Sequence, residues 1–109
     1  VISAIHLRPP ADLDTFAVDA QAVLTALSER PGFVRGQLLR AFDDDGEWLL
    51  LTEWESVGAY RRGLGGYQVK LLATPLMAHA VDQPSAFEPL ATVDPAGSPE
   101  IIASDRAPS

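Results

Sequence analysis

The run from Trp48 to Arg62 (Trp-Leu-Leu-Leu-Thr-Glu-Trp-Glu-Ser-Val-Gly-Ala-Tyr-Arg-Arg) constrains this chain most, because it cannot be a single element. Trp48 to Thr52 is an apolar run too short for a stable helix, and it follows an Asp45-Gly46 turn signal, so a strand is predicted there. Ser56 is an N-cap residue type, and Ala59, Tyr60, Arg61 and Arg62 tolerate a helix, so strand gives way to helix near Glu55. Alternation along the strand puts Trp48, Leu50, Thr52 and Trp54 on one face and Leu49, Leu51 and Glu53 on the other. Tyr60 follows Trp54 by about one helical turn. An indole N–H and a phenol O–H are therefore expected to converge at the junction. Both need partners when buried, and an apolar pocket with two such donors suits a small molecule.

The rest of the chain arranges itself around that junction. Val1 to Arg8 alternates too weakly for one wet face and reads as a strand covered on both sides, ended by Pro9-Pro10. Leu13, Phe16, Ala17, Ala20, Val23, Leu24 and Leu27 form one helical stripe, which Asp12 can cap and Pro31-Gly32 stops. Phe33 to Phe42 and Glu47 to Trp54 are predicted to pair as a hairpin around Asp43 to Gly46. Beyond Ser56, the glycines at 63, 65 and 66 and the Thr74-Pro75 pair divide the helical region. Three pieces are expected, about Val57 to Leu64, Tyr67 to Ala73 and Pro75 to Ala80, bent around a cavity. Ser85 to Leu90 is a last strand, towards an edge because of Pro84 and Pro89.

This order predicts an α+β, ferredoxin-like fold: an antiparallel four-stranded sheet with both helical regions on one face. Strands apolar on both sides imply that a second sheet covers the other face, most simply in a two-fold homodimer. Residues 1–90 form the domain, and 91–109 are a C-terminal tail rich in Pro, Ala, Ser, Asp and Gly. Ile101 to Ala103 interrupt the tail with an apolar patch, which is expected to dock on the partner subunit.

The balance of 8 basic against 15 acidic residues, a formal net charge of -7, disfavours a nucleic-acid partner. Arg61-Arg62 is the one adjacent basic pair. The absence of cysteine removes disulfides, thiolate nucleophiles and cysteine-ligated zinc. No apolar run is long enough for a bilayer and no signal peptide stands out, so no membrane association is expected and the cytoplasm is the default location. No metal is expected either. His6 and His79 are far apart without a carboxylate motif, and Asp43, Asp44 and Asp45 lack the further ligands of a calcium loop. Gly63 to Gly66 lacks the Lys and Ser or Thr of a phosphate loop.

Thr52-Glu53-Trp54-Glu55-Ser56 followed by Ala59-Tyr60-Arg61, Pro31-Gly32-Phe33 entering the second strand, and the element order together resemble the antibiotic biosynthesis monooxygenase (ABM) domain family, over roughly Val1 to Leu90. The resemblance implies a dimeric α+β barrel. It is nearest to the anthrone monooxygenases of aromatic polyketide pathways, which work without metal or flavin and take dioxygen as co-substrate. There a phenolic substrate loses a proton, its anion reacts with dioxygen, and a peroxy intermediate collapses to a quinone. The motif's tryptophan and tyrosine fall on Trp54 and Tyr60. Its asparagine falls on Leu50, so that hydrogen bond is missing, and a later arginine falls near Lys70. The asparagine, second tryptophan and histidine that resemblance to haem-degrading members would require are absent, so haem is not implied.

The site residues implied are Trp54, Tyr60 and His6 for catalysis, with Leu50, Thr52, Arg62 and Lys70 around a small aromatic substrate. Each has a plainer reading beside it. Trp54 can be a core plug at a strand end, and Tyr60 can turn its hydroxyl to solvent. His6 can act as a base or sit hydrogen-bonded on the sheet. Arg61, Arg62 and Lys70 can be solvated helix charges or hold an anionic substrate. Trp48 and His79 read as packing and as a helix-end cation. The leading function is a cofactor-independent monooxygenase acting on a polycyclic phenol or anthrone. The alternatives are non-oxidative enolate chemistry (isomerase, cyclase or lyase) and a non-catalytic small-molecule-binding dimer.

Overall fold

The central strand β3 (Trp48–Trp54) alternates as expected: Trp48, Leu50, Thr52 and Trp54 are buried while Leu49, Leu51 and Glu53 are half-buried. A computed structural model describes residues 1–104 of the chain. β3 pairs antiparallel on one side with β1 (Ile2–Leu7) and on the other with β2 (Phe33–Arg40). β1 also pairs with β4 (Ala86–Phe87), which gives an antiparallel sheet in the order β2-β3-β1-β4. This is the ferredoxin-like arrangement that the element order implies.

Helix α1 (Leu13–Ser28) starts at Asp12, whose carboxylate accepts hydrogen bonds from the Thr15 amide at 3.1 Å and the Thr15 hydroxyl at 2.7 Å. Those bonds, the hydroxyl's foremost, hold the Asp12 carboxyl below its ordinary value. The helix lays Phe16, Ala20, Val23 and Leu27 on the inner face of the sheet, where they join Leu7, Leu50 and Trp54. Burying each large apolar side chain contributes about 1.5–3 kcal/mol. After α1 the chain turns at Gly32, with φ +84° and so little room that an added Cβ would lie 2.4 Å from the Ala59 Cβ.

Helix α2 (Val57–Leu64) is capped by Ser56, whose hydroxyl accepts from the Ala59 amide at 3.0 Å. The glycines break the helical region as expected, and α3 (Tyr67–Met77) begins anew. The Thr74-Pro75 break does not occur. Pro75 lies inside α3, and the Thr74 hydroxyl donates back to the Lys70 carbonyl at 2.7 Å instead of capping a new helix. Proline removes one N–H two residues before the helix ends, and packing of Val69 and Leu76 in the core holds the segment helical despite that loss. The last strand is also shorter than Ser85 to Leu90, keeping only Ala86–Phe87 in the sheet.

The predicted tail contains structure of its own. Ala91–Val93 (β5) and Pro99–Ile101 (β6) pair as an antiparallel hairpin, whose turn rests on the Gly97 amide donating to the Asp94 carbonyl at 2.8 Å. Asp94-Pro95-Ala96-Gly97 carries residue types that favour a turn, although the sequence reading takes this stretch as tail, and Gly97 has φ +80°. Residues 105–109 of the predicted tail lie outside the described residues. Among the described residues no helix is long and apolar enough to cross a membrane.

Gly63 is where helix and sheet meet most tightly. An added Cβ would lie 2.3 Å from Cη2 and 2.6 Å from Cζ3 of Trp54, a rigid ring in a full core. Overpacking of about 3 kcal/mol exceeds the ~1 kcal/mol that alanine gains in helix propensity. Gly63→Ala should therefore lose about 2 kcal/mol, and its melting temperature in calorimetry should fall by about 10 °C. A variant melting at or above the wild type would mean that the indole has room to move.

Candidate functional site

Between the inner face of the sheet and the helices lies an apolar chamber of about 710 Å³. Ile5 and Leu50 form its sheet side, and Val23 and Leu27 of α1 close one wall. Tyr60 and Leu64 of α2 and Val69, Ala73, Leu76 and Met77 of α3 supply the rest. Its polar groups are few: Tyr60, Lys70 and Thr74 on the helices, and Asp82, Gln83 and Ser85 in the segment that leads to β4. Such a balance of greasy wall and sparse polar groups, at this size, is that of a small-molecule site.

Tyr60 and Trp54 do meet at the strand-to-helix junction, with ring centroids 6.2 Å apart at 63°. Their polar ends differ from the sequence expectation. The indole N–H of Trp54 donates to the Thr52 hydroxyl at 3.0 Å, inside the core. A buried indole needs an acceptor, and Thr52, two residues earlier on the same strand face, is the nearest one the chain offers. Trp54 and Thr52 thus stand behind Tyr60 and off the chamber wall, with Trp54 also edge-on to Phe33 at 5.2 Å. The Tyr60 hydroxyl, by contrast, has no hydrogen-bond partner among the described residues, and Lys70 has no ion-pair partner among them. Both residues are on the chamber wall.

Leu50 lies on that wall, so the position where the family resemblance implies an asparagine is apolar here. His6 pairs with Leu49 across the ladder, and alternation sends its ring to the outer face, away from Leu50 and Tyr60. Its main chain reaches the chamber edge, where the His6 carbonyl accepts from the Val81 amide at 2.8 Å. Arg62 is exposed off the chamber: its guanidinium folds back towards Gly58, and its carbonyl accepts from Arg30 Nη2 at 3.2 Å. Trp48 packs edge-on to Phe16 at 5.7 Å, with Arg40 over its ring, and its N–H clamps the hairpin turn at the Asp45 carbonyl. His79 packs edge-on to the same phenylalanine at 5.8 Å.

Asp82, Gln83 and Ser85 were not singled out as site residues from sequence. They carry no motif, and only the return of the chain to β4 brings them to the rim. Among the described residues no three His, Asp or Glu side chains gather closely enough to hold a metal ion.

Fold and chamber together define a ferredoxin-like α+β domain with a largely apolar cavity, open on one side, between its sheet and helices. Within that class, the family model described as antibiotic biosynthesis monooxygenase matches residues 1–66, and the chain belongs to that family. Membership supports a monooxygenase-type role in general terms. No curated protein matches the chain. Among solved structures, SnoaB from Streptomyces nogalater, described as a cofactor-independent oxygenase, is similar with a TM-score of 0.64 at 21% identity, over 97% of this chain and 92% of that one. An antibiotic biosynthesis monooxygenase candidate from Deinococcus radiodurans reaches a TM-score of 0.71 at 17% identity, over 85% and 95%. Rv0793 from Mycobacterium tuberculosis reaches 0.62 at 16%, over 99% and 97%. At these identities the likeness is one of fold.

Proposed function

We propose that the chamber oxidises a polycyclic phenol or anthrone to a quinone with dioxygen, without metal or flavin. The observation that carries this reading is a largely apolar 710 Å³ cavity whose wall holds an unpartnered phenol, Tyr60, and an unpaired ammonium, Lys70, among the described residues. The likeness to SnoaB, itself a cofactor-independent oxygenase, supports it. An anthrone needs no outside reductant. Its CH₂ carbon loses two hydrogens, one atom of dioxygen becomes the new carbonyl oxygen, and the other leaves as water. The enzyme's task is then to stabilise the anion formed when the first proton departs.

In this reading Tyr60 donates its O–H to the substrate oxygen on which negative charge develops, and Lys70 favours that anion from the chamber mouth. Trp54, fixed by Thr52, is a positioning residue that holds the Tyr60 ring. Leu50 gives the flat substrate an apolar floor. Asp82 is the rim carboxylate that receives the proton; His6, on the opposite face of the sheet, and Arg62, outside the chamber, take no part. We further propose that the outer sheet face, with Ile2, Ala4, Leu49 and Leu51 half-buried and Leu39 and Phe87 exposed, packs on a second copy in a two-fold homodimer.

Leu50 favours a second reading, because an apolar side chain in place of the family's asparagine removes one hydrogen bond to a reacting oxygen. Non-oxidative enolate chemistry, as in an isomerase, cyclase or lyase, would tolerate that loss. An oxygen electrode with a panel of anthrones and dihydroxynaphthalenes separates the readings. The oxygenase reading expects oxygen uptake matched one to one by quinone. Substrate conversion with no oxygen consumed would move the assignment to the second reading, and tight binding without turnover would make the chain a binding module.

A further inference from the structure

The helical wall of the chamber is made of two pieces that meet at an elbow. α2 ends at Leu64 and α3 starts at Tyr67, with only Gly65 and Gly66 between them. Tyr60 comes from the first piece and Lys70 from the second. α2 is eight residues long and buries only Ala59 and Gly63, so little apolar surface holds it in place.

Arg30 supplies a polar hold. It follows α1, where its amide donates to the Leu27 carbonyl at 3.0 Å and its carbonyl accepts from the Phe33 amide at 3.3 Å, so its main chain is fixed. From there Nη2 donates to the Arg62 carbonyl at 3.2 Å, an oxygen that also accepts from the Gly65 amide at 3.1 Å. That carbonyl lies in the last turn of α2, the negative end of the helix dipole, where a cation is favoured. The guanidinium rests against Gly66: an added Cβ there would lie 3.2 Å from Nε, 3.3 Å from Cζ and 3.4 Å from Cδ of Arg30. Nε is buried. A solvated arginine keeps all its N–H groups in water, so this burial marks a packed group and not a free surface charge. Gly66 is the N-cap of α3 and offers no capping side chain. Arg30 takes the space in which a serine or aspartate cap would sit, and α3 forgoes that stabilisation.

Arg30 does not line the chamber. We infer that it is a positioning residue, which latches the last turn of α2 to the start of α3 and so fixes where the Tyr60 hydroxyl, two residues upstream of the latched carbonyl, points in the chamber. It acts on the reaction only through Tyr60. The inference rests on the donor role proposed above for Tyr60, but the latch can be read without turnover.

The Tyr60 ring protons sense the Trp54 indole 6.2 Å away and report the latch in nuclear magnetic resonance spectra. They should shift in Arg30→Met, while the Trp54 indole N–H, held by Thr52, stays in place. Oxygen uptake reads the consequence. Arg30→Met should lower kcat about tenfold and leave KM within about twofold, because a displaced group costs rate while the apolar walls still bind the substrate. In a Tyr60→Phe background the same substitution should cost less than about twofold, since residues acting as one unit are not additive. Arg30→Lys keeps the cation but not the planar group that rests on Gly66, and should recover part of the loss. Gly66→Ser approaches the latch from the other side. It crowds the guanidinium yet gives α3 a cap, so kcat should fall about threefold with no loss of melting temperature. Arg30→Lys and Gly66→Ser carry the same test should Arg30→Met fail to fold. Unmoved Tyr60 signals would overturn the latch. So would an equal loss of kcat in the wild-type and Tyr60→Phe backgrounds, which would make Arg30 a contributor to stability alone. A wild type that takes up no oxygen with any anthrone of the panel would remove the proposed reaction, and the Tyr60 signals would still decide the latch.

Discussion

Trp54→Ala is expected to bring the domain close to unfolding at room temperature. The indole is 2% exposed, lies edge-on to Phe33 and Tyr60, and rests on Gly63, so its removal opens a large void between sheet and α2. Truncating a buried tryptophan costs about 3–5 kcal/mol. The Thr52 hydroxyl loses its buried partner as well, at about 1 kcal/mol. A domain of this size has about 5–15 kcal/mol in total, so the loss is a large fraction of it. Urea denaturation followed by circular dichroism reads the effect directly. Trp54→Phe keeps most of the packing and loses the N–H, so it should fall between the two. A loss below about 1 kcal/mol for Trp54→Ala would show that this ring is not the keystone of the junction.

Tyr60→Phe should leave stability nearly unchanged and cut turnover sharply. Its hydroxyl has no partner among the described residues, so removing it orphans nothing in the protein. In the proposed reaction that hydroxyl is the fixed donor to the developing oxyanion, and deleting one such donor costs about 100-fold or more in kcat. Steady-state oxygen uptake with the best substrate of the panel measures it. The informative result is the split: a fall in kcat with a stable fold supports the donor role. Equal turnover in the two proteins would remove Tyr60 from the chemistry and leave it as a wall of the chamber.

Most of the architecture was legible in the chain. Helix α1 announces itself through Asp12 and the stripe from Leu13 to Leu27, and β3 through strict alternation from Trp48 to Trp54, because both patterns repeat local geometry many times over. Pro75 misled because a proline reads as a helix start or break. In the folded chain, contacts made by Val69 and Leu76 outweigh one missing N–H. The short hairpin at 91–101 was hidden by a composition that resembles a disordered tail, although its turn residues were visible.

The candidate site was legible only in part. That Trp54 and Tyr60 share a junction follows from their spacing, since strand alternation and the helical turn are local properties of the backbone. Where the indole N–H goes does not follow, because Thr52 competes with any ligand for it, and only the packed core decides between them. His6 passes to the outer face through its register with Leu49, and Asp82, Gln83 and Ser85 reach the rim through a chain reversal. Periodicity and caps thus dictated the elements and their faces, being written residue by residue. The chamber itself, with its free phenol and its unpaired lysine among the described residues, belongs to the assembled fold, because a void is made by residues distant in sequence.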